Sequence, residues 1–321
     1  MLNIFINSFG TTFQAVLQVL LVSVAGGVLI RKKVITQEHL KSLSTVVVRV
    51  LLPCMTFSNI VRNFNPAQFK IWPLVPLVAI LTIGLGLLAA IMLFWPNLRM
   101  NKHHFATASL QNAGYLILPL GKTLYPKQFD EFAMYCFLYI LGMSPLLWSL
   151  GKYLVSSGED EKISFRGLLT PPLVACIGAI VIVLVKIQFV IPNIVLDSSE
   201  LIGSATVPIA TFVLGAVLGS ISFDIKSHVL DAAKVLFVRL IFVPICTIAV
   251  LMLTGLHNDY PLLCNLFVLQ SSSSPATGLI LQVKHYGGNE QEVGSILMLS
   301  YVACMFTIPL WLAVWTMLIG R

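Results

Sequence analysis

The chain has 321 residues, of which 57% are hydrophobic and 10% charged, with a net charge of +7 and a mean hydropathy of +0.91. A soluble domain carries about 25% charged residues, so the composition excludes one and points to a polytopic membrane protein. There is no G-x-x-x-x-G-K-[ST] nucleotide motif, no clustered His/Cys ligand set and no Gly-rich dinucleotide turn, so neither ATP-driven transport by this chain alone nor cofactor chemistry is supported, and no metal is expected.

Windows of about 20 apolar residues predict ten spans, near 10–30, 41–61, 72–95, 104–124, 130–151, 170–189, 199–220, 228–254, 261–285 and 293–318. No Lys or Arg precedes the first, while Arg31, Lys32 and Lys33 follow it directly. That is the reverse of a signal peptide, so the first span is expected to remain. The loops after the odd-numbered spans hold twelve basic residues (Arg31, Lys32, Lys33, Lys41, Arg99, Lys102, Lys152, Lys162, Arg166, Lys226, Lys234 and Lys284). The other side holds six (Arg62, Lys70, Lys122, Lys127, Lys186 and Arg321). This bias predicts odd loops in the cytoplasm, both termini outside and a multi-pass protein of the cell (inner or plasma) membrane. The net charge follows from that topology and does not indicate nucleic-acid binding. Trp72, Trp95, Trp148 and Trp311 at span ends read as an aromatic belt. The six cysteines lie within spans without metal-type or redox-type spacing, and read as small buried hydrophobes.

Two spans are interrupted by proline and small polar residues: the fourth by QNAGYLILP at 111–119 and the ninth by QSSSSPATG at 270–278, with Pro119 and Pro275 156 residues apart. At membrane depth an unwound backbone survives only where protein or a water-filled cavity supplies partners. Gly114, Pro119 and Pro275 are therefore read as functional breaks, and paired broken helices as a transporter's substrate site. Other echoes agree: PCMTF at 53–57 with PIATF at 208–212, and SPLLW at 144–148 with IPLW at 308–311. The polar stretch 156–169 divides the chain into repeats 1–155 and 170–321, and an odd number of spans per repeat inverts the second copy.

The second halves of the broken spans present backbone N–H groups with roughly half a positive charge, suited to a carboxylate. The expected partners are thus a small organic anion and the lipid bilayer. Gln111, Asn112, Gln270, Ser273 and Ser274 are the polar candidates at the breaks. Arg49 and Arg239 are the strong charges well inside spans, each either a counter-charge for the anion or a side chain that snorkels or caps carbonyls exposed by the nearby Pro53 and Pro244. All thirteen carboxylates lie in loops or at span ends, which disfavours sodium coupling against uniport, exchange or proton coupling. His103 and His104, where span four leaves the cytoplasm, are the candidates for proton coupling, with an interfacial role as the plainer reading.

VLLPCMTF in span two, Asn112 to Leu120 (N-x6-P-L) in span four, ATVPIATFVLGAVLG in span seven, and SSPATGLILQVKHYGGN followed by LSYVACMFTIPLW in spans nine and ten resemble the auxin efflux carrier family. That family includes plant PIN carriers and bacterial malonate-type permeases. The resemblance implies the inverted-repeat fold of the bile acid:sodium symporters, an all-α membrane protein of ten transmembrane helices with broken helices four and nine crossing. It further implies a scaffold of spans one, two, six and seven, a transport domain of spans three to five and eight to ten, and an elevator motion between them. Asn112 stands where PIN carriers contact the substrate carboxylate. Span nine departs from the plant pattern, with Ser271 to Ser274 before a single proline, and the long cytoplasmic loop of the plant carriers is absent; both argue against auxin itself. The reading is a secondary carrier of a small carboxylate, with a ligand-sensing receptor on the same fold as the alternative. Gly26 and Gly27 are expected to permit close packing, as in a scaffold-mediated homodimer.

Overall fold

A chain in hydrocarbon must close its backbone hydrogen bonds within itself, and the computed structural model, which describes residues 2–96, 101–156, 169–221 and 229–320, is helical with no strand among those residues. The helices are α1 Leu2–Arg31, α2 Gln37–Asn63, α3 Leu74–Leu93, α4 Lys102–Ser109, α5 Ile117–Leu124, α6 Phe129–Val155, α7 Pro171–Leu184, α8 Asn193–Gly219, α9 Val229–Thr254, α10 Pro261–Ser271, α11 Gly278–Tyr286 and α12 Glu290–Ile319. Seven of them (α1, α2, α3, α6, α8, α9 and α12) are long and apolar enough to cross a membrane. The other expected spans are shorter: span six is α7, span four is the pair α4 and α5, and span nine is the pair α10 and α11. Of the basic residues counted above, Arg99, Lys162, Arg166, Lys226 and Arg321 lie outside the described residues, as does most of the expected linker.

Prolines shape two of the long helices. A π-helical turn, Val47–Leu51, precedes Pro53 in α2, and another, Val238–Phe242, precedes Pro244 in α9. Proline has no N–H to give to the carbonyl four residues back. For Pro244 that carbonyl is Leu240 O, and the indole Nε1 of Trp311 donates to it at 2.7 Å. This corrects the reading of Trp311 as a belt residue, because its polar end is spent on a backbone group inside the protein. Trp148 likewise turns inward, to line the cavity described below.

Small residues let α1 lie directly on α8. A Cβ on Gly26 would stand 2.1 Å from Phe212 O, and one on Gly215 would stand 1.6 Å from Ser23 O. Ser23 Oγ donates across the contact to Thr211 O at 3.1 Å. Gly26 and Gly27, expected at a subunit contact, are thus used within the chain. Around this seam α2 packs on α7 and α8, while α3 packs on α4 and α6 and α10 packs on α9 and α12. Contacts of α1 with α12 and of α2 and α7 with α6 join the two sets.

Gly215→Ala must force α1 and α8 apart, at a cost of about 1–3 kcal/mol for overpacking. Gly178→Ala, which meets open space, should leave stability unchanged. Thermal unfolding of the detergent-purified protein checks both, and equal midpoints for the two variants would contradict this seam.

Candidate functional site

The interrupted segments find their partners in each other. α4 ends at Ser109 and α5 begins at Ile117; α10 ends at Ser271 and α11 begins at Gly278. Between them Asn112 N donates to Ser274 O at 2.8 Å and Ala276 N donates to Leu110 O at 2.9 Å, so that Gln111 and Pro275 form an antiparallel bridge. Helix ends therefore recur at offsets of 161 and 162 residues, whereas Pro119 and Pro275 are 156 apart. Pro119 corrects the sequence reading. It is the third residue of α5, within the first turn where its missing N–H costs no helical bond, and it is not part of the break.

Side chains tie these bridged segments to their surroundings. Gln111 Nε2 donates to Tyr139 OH and Asn112 Nδ2 donates to Tyr301 OH, all four side chains being buried. Tyr139 in α6 and Tyr301 in α12 are 162 residues apart, the same offset as the helix ends; that recurrence was the signal by which the sequence offered them, and it was missed. Gln270 Nε2 donates to Ala113 O at 3.1 Å. Arg239, fully buried, donates from Nε to Ser273 O at 2.9 Å and from Nη2 to Gln270 O at 2.6 Å. The hydroxyls of Ser271, Ser272 and Ser273 bond back to carbonyls of their own segment.

A cavity of about 590 Å³ lies between α2, α7 and α8 on one side and the span-four break, α6 and α11 on the other. Its lining follows one face of α2 through Gln37, Lys41, Ser44, Arg49, Leu52 and Thr56, a rise of roughly 28 Å at 1.5 Å per residue. Lys284 and His285, at the end of α11, lie on the wall with Lys41. Thr56, Thr206, Gln111, Asn112, Gly114 and the first residues of α11 complete it. Of the ten sequence-proposed residues, Arg49, Gln111, Asn112 and Gly114 line the cavity, whereas Pro119, Arg239, Gln270, Ser273, Ser274 and Pro275 do not. Arg239 therefore faces the break, not the cavity.

The cavity is polar in a particular way. Ser44 Oγ, Thr56 Oγ1, Thr206 Oγ1 and Gln111 Oε1 have no hydrogen-bond partner among the described residues. Lys41, Arg49 and Lys284 bring three cations and no carboxylate lines it among those residues; Lys284 is engaged outward, 3.3 Å from Glu290. Thr56 and Thr206 were legible only as parts of apolar motifs, because nothing in a sequence marks a hydroxyl left unpaired.

His103 and His104 lie off this cavity. Their Nε2 atoms each stand 2.9 Å from a different oxygen of Glu292, the buried carboxylate in the first turn of α12. Asn289 caps that helix by accepting from Glu292 N at 3.1 Å and donates to the carboxylate at 2.6 Å. The approach needs glycine: Gly288 has φ +133° and a Cβ there would meet Val155 O at 2.2 Å. Through this carboxylate the two histidines fasten α4 to α12. The three side chains also have the donor set and proximity of a metal site, their ligand atoms lying within 4.8 Å of one another.

With this geometry, a family model described as "Membrane transport protein" matches the chain twice, over residues 11–165 and 160–312. The chain belongs to that family, the auxin efflux carriers that its motifs resemble, and is a multi-pass membrane transporter. Among its relatives, an uncharacterized transporter of Methanocaldococcus jannaschii is 26% identical over 199 residues, 58% of this chain and 62% of the relative. The chain thus spans about three fifths of that relative's length. An uncharacterized transporter of Methanothermobacter thermautotrophicus is 25% identical over 307 residues, 93% of this chain and 96% of the relative.

Two variants test the ties on the break. Tyr301→Phe leaves the buried Asn112 amide without its acceptor and should cost about 1–3 kcal/mol of stability, as should Tyr139→Phe through Gln111. Tyr153→Phe, at a half-exposed ring, is the neutral control. Equal thermal unfolding of all three would show that the phenols do not hold the break.

Proposed function

We propose that the chain is a secondary carrier of small organic anions, with the carboxylate seated against Asn112, Gln111 and the first turn of α11. The observation that carries this reading is the cavity between two helix sets, which presents Lys41, Arg49 and Lys284 without a carboxylate among the described residues. Its volume suits a small ligand. The unpartnered hydroxyls of Thr56 and Thr206 offer donors to an anion that carries no hydrogen of its own.

In this proposal the chain crosses the membrane ten times, as two inverted repeats of residues 1–155 and 170–321, with the interrupted spans four and nine crossing at the Gln111–Pro275 bridge. Spans one, two, six and seven act as scaffold and the remainder as transport domain, which slides as an elevator. The matching offsets of the helix ends and of Tyr139 and Tyr301 support the repeat. On the charge-bias topology in the cell membrane, with both termini outside, the end of the cavity near Lys41 and Lys284 opens to the cytoplasm. Proton coupling remains attached to His103, His104 and Glu292, outside the cavity.

Thermal stability of the purified protein against a panel of mono- and dicarboxylates, followed by flux into proteoliposomes, tests the reading. A ligand that binds the folded state must stabilise it. Asn112→Ala should weaken binding by about 1–3 kcal/mol through a lost charge-assisted bond, and Arg49→Gln should raise Kd roughly tenfold, about 1.4 kcal/mol. Stabilisation without flux would make the protein a sensor. No stabilisation by any carboxylate, in a folded sample, would remove the anion reading.

A further inference from the structure

A guanidinium at membrane depth persists only where the protein holds it, and Arg239 is held by carbonyls alone among the described residues. Its side chain is fully buried, it forms no ion pair there, and Nη1 has no partner there. Its two acceptors are Gln270 O, in the last turn of α10, and Ser273 O, in the unwound stretch that follows. A helix C-terminus leaves its last carbonyls unbonded and carries roughly half a negative charge. In secondary transporters, such half-helix ends and unwound carbonyls are where a coupling cation is coordinated.

We propose that the Arg239 guanidinium is a resident cation in that position, so that the crossing takes up no alkali-metal ion. Two features favour this over a counter-charge in direct contact with ligand or a snorkelling side chain. Arg239 does not line the cavity, and a snorkelling head would be exposed, not bonded to two carbonyls. The planar fork reaches both acceptors from one residue, which a lysine ammonium cannot match in geometry. Since α9 packs on α10, the cation stays with the break it serves. What is carried rests on the function proposed above; the occupancy of the carbonyls does not.

The test uses the purified full-length protein without any carboxylate ligand, unfolded thermally in sodium, potassium, lithium or choline chloride at equal ionic strength. The wild type should unfold at one temperature in all four. Arg239→Ala should unfold earlier in choline and recover part of the loss in an alkali salt, as the ion enters the vacated carbonyls. Arg239→Lys should be intermediate and indifferent to the salt. Selective stabilisation of the wild type by an alkali ion would overturn the proposal. So would an Arg239→Ala loss that is absent in choline or equal in every salt. If Arg239→Ala does not fold, binding of radioactive sodium to the wild type decides: none at saturating concentration supports the resident cation, and stoichiometric binding overturns it. A failure of carboxylate transport would not affect these readings, so the two proposals fail separately.

Discussion

The rest of the structure depends on how unwound backbone is satisfied where there is no water to satisfy it. Two helices stop at Ser109 and Ser271, and the freed amides of Asn112 and Ala276 donate to Ser274 O and Leu110 O of the opposite break. Neither interruption is stable alone, since each supplies the acceptors of the other. This mutual need explains why so many of the surrounding polar side chains bond to the two breaks. Tyr139, Tyr301, Gln270 and Arg239 each bond to the interrupted segments, and Ser271, Ser272 and Ser273 bond back to their own backbone. Among the groups left unengaged, Gln111 Oε1, Thr56 Oγ1 and Thr206 Oγ1 belong to residues that line the cavity, where a ligand finds partners.

The cavity lies between two sets of helices. α1 and α8 meet through glycines that leave no room for a Cβ, which gives a contact of backbone on backbone with little freedom to adjust. The opposite wall is built on the breaks, held by the hydrogen bonds between them, and it too is closely packed, since Gly142 of α6 leaves no room for a Cβ against the backbone of Pro76 in α3.

Much of this was legible in the sequence, and the reasons for the misses are physical. Composition gave the membrane class, and of the ten spans that hydropathy windows predict, seven are single helices long and apolar enough to cross a membrane among the described residues, because length and apolarity are what a bilayer selects. The breaks were visible as Gln, Ser and Pro inside apolar runs. Their register was not: matching Pro119 to Pro275 misaligned the repeats, since a proline is tolerated both in an unwound segment and in a helix's first turn. Roles that depend on a partner far along the chain were also hidden. Trp311 looked like an interfacial anchor until Leu240 O was found at its indole. Likewise nothing near His103 and His104 in the sequence pointed to Glu292, nearly 190 residues later, which lies against both.

The two arginines show how little sequence separates such roles. Both sit in a π-helical turn before a proline, Arg49 four residues ahead of Pro53 and Arg239 five ahead of Pro244. On a helix one residue is about 100° of rotation, so equal contexts do not give equal directions. Arg49 lines the cavity, exposed to whatever enters it. Arg239 points into protein and spends its donors on the carbonyl end of a half-helix. An arginine facing a space open to water keeps its hydration and is available to a mobile anion, while a fully buried one must be compensated at all times by fixed groups. Carbonyl dipoles can do that without a carboxylate, because a helix end already concentrates them. The buried charge and the broken helix therefore each solve the other's problem.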